Sequence, residues 1–266
     1  MKLNFIKMSP CQNTTVLVTE YCSKKYYALI AEQAMSYDGL CAEQVGFIVP
    51  PRKINSVLGM EMAGGEFCGN ACLCTAVYAV YAGICEEGDF FIDVSGSSNL
   101  LRCHVKALSN YVYYAKCEMP PFLSINDIII EINHKEIKGS MVLFEGISHF
   151  VFKSWSNFGE DDYYKVLDIV KSNVSSDAIG IIPYYEINNG EYEIKPFVYV
   201  RSTKSHVFEK GCGSGSMALG IYLNKYQGMR DKIVVRQPGG AITVEVGEKI
   251  FISTDVKITC EGTIVI

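Results

Sequence analysis

The 266-residue sequence has no run of about 18 uninterrupted apolar residues, the length that a membrane-spanning helix needs. Nor has it an excess of positive charge: 24 Lys and Arg stand against 29 Asp and Glu, a formal charge of −5. That weakly acidic balance gives no electrostatic support for a nucleic-acid partner or an anionic membrane. The opening stretch Met1-Lys2-Leu3-Asn4-Phe5-Ile6-Lys7 is too short and too alternating for a secretory leader, and the cysteine usage makes reduced thiols in a cytoplasm the expectation. Histidine is scarce, and His104, His134, His149 and His206 are scattered. Cys68, Cys72 and Cys74 lie close together, but no second Cys/His cluster with ligand spacing accompanies them, so no metal site is expected. The 11 cysteines are odd in number and lack the spacing of a disulfide framework. Reduced thiols are the expectation.

What the chain does have is two matching cysteine turns. The first reads Gly64-Gly65-Glu66-Phe67-Cys68-Gly69-Asn70-Ala71, the second Glu209-Lys210-Gly211-Cys212-Gly213-Ser214-Gly215-Ser216. Each is glycine-rich, then Cys-Gly-(Asn/Ser), then an apolar run with helical spacing. Gly96 follows Cys68 at the same sequence distance as Gly240 follows Cys212, and both glycines feed an alternating strand. Earlier in each half, Val45-Gly46-Phe47 matches Ile179-Gly180-Ile181, and the same offset sets Asn13 against Ile147. These matches describe a duplicated α/β unit. With 49% hydrophobic residues, the chain can form two domains of about 130 residues, each with its own core. Pro120-Pro121 is the expected boundary, and a ligand cleft is expected between the two domains.

The local pattern predicts strands over residues 3–8, 15–18, 45–49, 56–62, 90–94, 100–105 and 111–118 in the first half. It predicts a helix from Lys24 to Met35, capped by Ser23, with Tyr27, Ile30, Ala31 and Ala34 on one face. A second helix runs from Gly69 to Ala82 and is stopped by Gly83. In the second half, strands are expected over 136–142, 149–152, 177–182, 192–200, 232–235, 240–246, 250–252 and 256–266. Pro183 is expected to stop the strand before it. Helices are expected over 162–170 and from the second cysteine turn to Tyr226.

A cysteine at the first turn of a helix sits near unpaired N–H groups and the positive end of the helix dipole. That setting is expected to lower the thiol pKa and favour thiolate. The Gly and Asn/Ser that follow leave N–H groups open to a carboxylate. Two such sulfurs on opposite faces of one carbon can invert a stereocentre. One takes the proton and the other returns it, with no metal or organic cofactor required in principle. Two other readings stay open from the residues alone. Cysteine often only fills core. A single Cys68 or Cys212 could also serve a nucleophilic hydrolase with His149 or His206 as base, although that leaves the second cysteine turn unexplained.

The chain resembles the diaminopimelate epimerase superfamily of cofactor-independent amino-acid racemases over nearly its whole length. The resemblance rests on Phe5-Ile6-Lys7-Met8, the Asn13 turn, Glu43-Gln44, Cys68-Gly69-Asn70, the His149 turn, Cys212-Gly213-Ser214-Gly215 and Pro238-Gly239-Gly240. It implies an α/β (α+β) fold of two pseudo-symmetric domains, each a mostly antiparallel sheet wrapped around a central helix. The implied domains are 1–119 with the returning strand 255–266, and 120–254. It implies Cys68 and Cys212 as the acid/base pair, with Asn13, Gln44, Gly69, Asn70, Gly213 and Ser214 around the substrate and His149 in support. It also implies a homodimer, an amino-acid substrate and no cofactor.

The superfamily binds the distal amino acid group of diaminopimelate with asparagines and an arginine. Here Met60-Glu61-Met62-Ala63 and Ala178 stand where those asparagines are expected, and Val200-Arg201 lacks the acidic partner. Glu43 and Glu209, with aromatics such as Phe67 and Phe208 expected nearby, suit a cationic or imidazole side chain instead. Cys41-Ala42-Glu43-Gln44-Val45-Gly46-Phe47-Ile48, Gly65-Glu66-Phe67-Cys68-Gly69-Asn70-Ala71, Val94-Ser95-Gly96 and Gln237-Pro238-Gly239-Gly240 resemble the histidine-racemase branch linked to staphylopine-type metallophores. The resemblance implies interconversion of L- and D-histidine. Diaminopimelate or another amino acid is the second reading, and an inactive amino-acid-binding protein is a third.

Overall fold

Alternating and helical apolar spacing resolve into short strands and four α-helices among the described residues, 1–228 and 232–266 of the computed structural model. In chain order these are β1 (Lys2–Pro10), β2 (Thr15–Val18), α1 (Tyr27–Met35), β3 (Gln44–Val49), β4 (Gly59–Met62), α2 (Gly69–Tyr81), β5 (Gly88–Val94), β6 (Leu101–Ser109) and β7 (Val112–Met119). There follow β8 (Ser124–Ile132), β9 (Lys135–Leu143), β10 (Ile147–Lys153), α3 (Glu160–Val170), β11 (Ala178–Asn188), β12 (Glu191–Ile194), β13 (Phe197–Val200) and β14 (Ser205–Phe208). The last are α4 (Gly213–Gln227), β15 (Lys232–Gln237), β16 (Gly240–Val246) and β17 (Ile250–Val265). The chain divides into two units, Met1–Pro120 with Phe251–Ile266, and Pro121–Ile250.

In the first unit β1 is antiparallel to β2, β2 parallel to β3, β3 antiparallel to β4, and β4 parallel to β5. β5, β6 and β7 continue as antiparallel neighbours. β17 pairs with β7 and, antiparallel, with β1, which closes the sheet and removes its free edges. α2 packs against every strand from β1 to β7. A helix in that place must be apolar on all sides and slim. Ala71, Cys72, Cys74, Ala76 and Ala79 meet both demands and are fully buried. α1 packs on β3, burying Tyr27, Ile30, Ala31 and Ala34, with the Tyr27 ring stacked on Phe47 at 3.6 Å.

The second unit repeats the pairing order. β9 is antiparallel to β8 and β10, β10 parallel to β11, β11 antiparallel to β12, β12 parallel to β15, and β15 antiparallel to β16. α4 packs against β9, β10, β11 and β16, as α2 does in its own sheet. α3 packs on β8 and β11, where Tyr163, Val166, Leu167 and Val170 are buried. The α+β class and the repeated architecture agree with the sequence reading.

Four local expectations differ, besides the joining of 250–252 and 256–266 into the single strand β17. Ser23 makes no side-chain cap, and a 3-10 turn over Lys24–Tyr26 leads into α1. β11 runs through Pro183 rather than ending before it. Residues 178–181 pair with β13 and the stretch from Tyr184 pairs with β12, so the missing N–H falls where one partner gives way to the next. The stretch 192–200 splits into β12 and β13 around Lys195-Pro196. β8 and β14, which alternate weakly, are additional strands.

Candidate active site

In the first unit Cys68 is the N-cap of α2, with extended φ −138° and ψ 114°. An N-cap side chain normally offers oxygen to the N–H groups of the first turn. Here sulfur does so, accepting from the Ala71 N–H at 3.4 Å. The thiol donates to Gln44 Oε1, and Gln44 Nε2 donates to Asn13 Oδ1. Parallel pairing of β2 with β3 sets Thr15 beside Gln44 and brings the β1–β2 turn to this point. One residue away, the exposed Glu43 carboxylate accepts the Thr14 N–H at 2.6 Å. Asn13, Glu43, Gln44, Cys68, Gly69 and Asn70 are thus neighbours around one helix N-terminus.

The second unit builds the same cap. Cys212 is the N-cap of α4, and its sulfur accepts the Gly215 N–H at 3.2 Å. Ser214 Oγ lies 3.6 Å from that sulfur and 2.9 Å from His149 Nε2. His149 is fully buried, and burial lowers its pKa to about 3. It is therefore neutral, and hydrogen-bonded to serine rather than sulfur. Its partner across the parallel pair is Gly180, where a Cβ would lie 2.0 Å from His149 Nδ1. Only glycine lets the imidazole occupy that space. His206 stands on exposed β14, stacked with Phe197 and Tyr199. Neither histidine is placed as the base of a hydrolytic Cys–His pair. Phe208 packs with Tyr163 and Phe197 beside α3.

The expected lowering of the thiol pKa by the helix terminus does not hold for Cys212. Its burial pushes the thiol well above the ordinary range, and the Glu209 carboxylate adds to that. The Ser214 hydroxyl and the Gly215 N–H pull the other way without overcoming burial. Cys212 therefore rests as the thiol. Glu209, Gly213 and Ser214 surround it.

The equal spacing from cysteine to glycine acquires a structural meaning. The carbonyl two residues before each cysteine is held from the residue before the paired glycine. Ser95 Oγ donates to the Glu66 carbonyl at 2.8 Å, and the Gly239 N–H donates to the Lys210 carbonyl at 2.8 Å. Gly96 has φ +68°, and a Cβ there would lie 2.3 Å from Phe67 N. Ser95, Ser216 and Gln237 are members of these turns that the sequence reading did not name as site residues. Val94-Ser95-Gly96 and Gln237-Pro238-Gly239-Gly240 were the signal for two of them. Among the described residues no group of three or more His, Cys, Asp or Glu side chains is placed to hold a metal ion. No helix among them is long and apolar enough to cross a membrane.

Residues 2–265 match the family model described as the histidine racemase CntK N-terminal domain. A histidine racemase of Fusobacterium nucleatum subsp. nucleatum is 33% identical over 269 residues, covering 99% of this chain and 97% of that protein. A histidine racemase of Staphylococcus aureus is 28% identical over 246 residues, covering 91% of this chain and 88% of that protein. The fold is that of a probable proline racemase from Agrobacterium radiobacter, with a TM-score of 0.72 at 12% identity over 99% of this chain and 92% of that one. With two capped cysteine turns on a racemase fold, the chain is an isomerase and belongs to the histidine racemase CntK family.

Proposed function

We propose that the protein interconverts L- and D-histidine, with Cys68 and Cys212 as the two acid/base groups and no pyridoxal phosphate or other cofactor. The observation that carries this reading is the shared cap. Each sulfur sits at the same position of its own central helix and accepts the N–H three residues on. The N–H groups opening α2 and α4 receive the substrate carboxylate and stabilise the carbanion as it forms. In one direction Cys68, having released to solvent the proton that it holds against Gln44 Oε1, takes the α-proton as thiolate. The electron pair stays on the α-carbon, and the Cys212 thiol gives its proton to the opposite face. The reverse direction exchanges the roles. That Cys212 rests as the thiol supports the first assignment. Asn13 and Gln44 orient Cys68, and His149 orients Ser214 beside Cys212. Glu43 and Glu209 supply the negative charge that suits an imidazole or imidazolium side chain. The full-length likeness to proteins called histidine racemase supports the substrate.

Arg201 argues against diaminopimelate. Its guanidinium donates to the carbonyls of Ser176 at 2.8 Å, Lys171 at 2.8 Å and Val174 at 2.5 Å. A guanidinium spent on the loop after α3 is not offered to a distal carboxylate. The 11 cysteines, odd in number and without the spacing of a disulfide framework, support a reducing compartment, the cytoplasm, and the superfamily resemblance supports a homodimer.

The test is optical. Purified protein is incubated with L-histidine, D-histidine and a panel of other amino acids including diaminopimelate, and circular dichroism is followed. Histidine should lose its signal from either enantiomer. Loss with another amino acid and none with histidine would reassign the substrate.

A further inference from the structure

We propose that Gln237 and Ser216 are positioning residues that lock the Cys212 peptide so that the sulfur can change protonation state in place. The inference rests on the reading of Cys212 as an acid/base group. Gln237 ends β15 and is buried. Its Oε1 accepts the Cys212 N–H at 2.7 Å, and its Nε2 donates to Ser216 Oγ at 2.9 Å. Ser216 Oγ in turn donates to the Cys212 carbonyl at 2.7 Å. The three bonds form a closed cycle around one residue. Both backbone polar groups of Cys212 are held by side chains, one from the strand and one from the helix. The amide cannot be reversed, because the Cys212 N–H is only a donor and fixes which end of Gln237 faces it.

The cycle answers a specific demand. Cys212 is 3% exposed, with a carboxylate neighbour. Water does little to stabilise a thiolate there, so fixed dipoles must do so. The Gly215 N–H is such a dipole, and it points at sulfur only while Cys212 keeps its extended N-cap conformation of φ −111° and ψ 106°. Holding the N–H and the carbonyl of Cys212 fixes both of those angles. The first cysteine turn is built differently. At the position equivalent to Gln237 stands Asp93, whose carboxylate binds the Arg52 side chain and backbone N–H. At the position equivalent to Ser216 stands Cys72. The lock thus belongs to the turn whose cysteine is more buried.

The test compares Gln237→Met and Ser216→Ala with the parent. The readouts are kcat and KM for histidine, and the pH dependence of Cys212 alkylation by iodoacetamide, read by peptide mass spectrometry. Loss of a buried hydrogen bond at this site should lower kcat by about tenfold or more in Gln237→Met, with KM changed less than about twofold. The alkylation profile should move to higher pH. Ser216→Ala should show the same direction with a smaller effect, and it decides the matter if Gln237→Met does not fold. A folded variant with the parental kcat and the parental alkylation profile overturns the proposal. Cys212→Ser separates the two levels. If it still racemises histidine, the role of Cys212 itself is wrong. If it is inactive while the lock variants are unimpaired, only the lock is wrong.

Discussion

The buried, neutral His149 makes a quantitative demand on stability at mildly acidic pH. In the unfolded chain its pKa is that of free histidine, 6.5, and in the folded protein burial lowers it to about 3. Between those values the unfolded state binds a proton that the folded state does not. The stability that this difference provides is whole above pH 6.5 and is lost as pH falls towards 3. Integrated from pH 7.5 to pH 5, one such histidine costs about 2 kcal/mol. Other groups titrate over the same range, so the measurement is a difference. His149→Gln keeps a donor able to reach Ser214 and has no proton to gain. Urea unfolding of both proteins by circular dichroism at pH 7.5 and 5, at fixed ionic strength, isolates the contribution. The parent should lose about 2 kcal/mol more than the variant over this interval. Equal losses would show that His149 is hydrated or charged in the folded state, and the picture of a neutral imidazole orienting Ser214 would fall with it.

Further substitutions test the other parts. Gly96→Ala must place a Cβ 2.3 Å from Phe67 N at φ +68°, so it should lower both thermal stability and kcat by displacing the Cys68 turn. Gly65→Ala, also at positive φ but facing open space, should cost only about 1–2 kcal/mol in stability. Arg201→Ala should lower the melting temperature and leave KM for histidine unchanged; a large rise in KM would place the guanidinium on the substrate instead. Glu43→Gln should raise KM for histidine with little change in melting temperature, and an unchanged KM would remove Glu43 from recognition.

Much of the fold could be read from the chain because its two strongest signals are local. Strands such as Leu101–Ser109 carry their own alternation, the helix opened by Gly69 stands out as one continuous apolar run, and Gly83, at φ +67°, marks that helix's end. The duplication was legible because spacing survives when sequence diverges. The errors lie where tertiary pairing overrides a local rule. Pro183 breaks strands in general, but not at a position where β11 changes partners. The helix-terminus argument for a low thiol pKa failed at Cys212 because burial and the Glu209 carboxylate oppose it. Burial at that point has no sequence signature, and Glu209, although named in the turn, was read as a substrate contact rather than as a neighbour of the thiol. Gln237 and Ser216 stand in quoted motifs but were not named as site residues, for a related reason. Their role is a closed cycle of hydrogen bonds between a strand end and a helix start, and only the fold brings those together.

The central claim is that two thiols, not one, carry the proton. It is tested most directly by the isotope content of both enantiomers early in the conversion of L-histidine in deuterium oxide. A base on one face that differs from the acid on the other puts deuterium at the α-carbon of the product while the remaining substrate keeps protium. Deuterium appearing in the remaining L-histidine as fast as in the D-product would mean that a single group serves both faces, and would contradict the account.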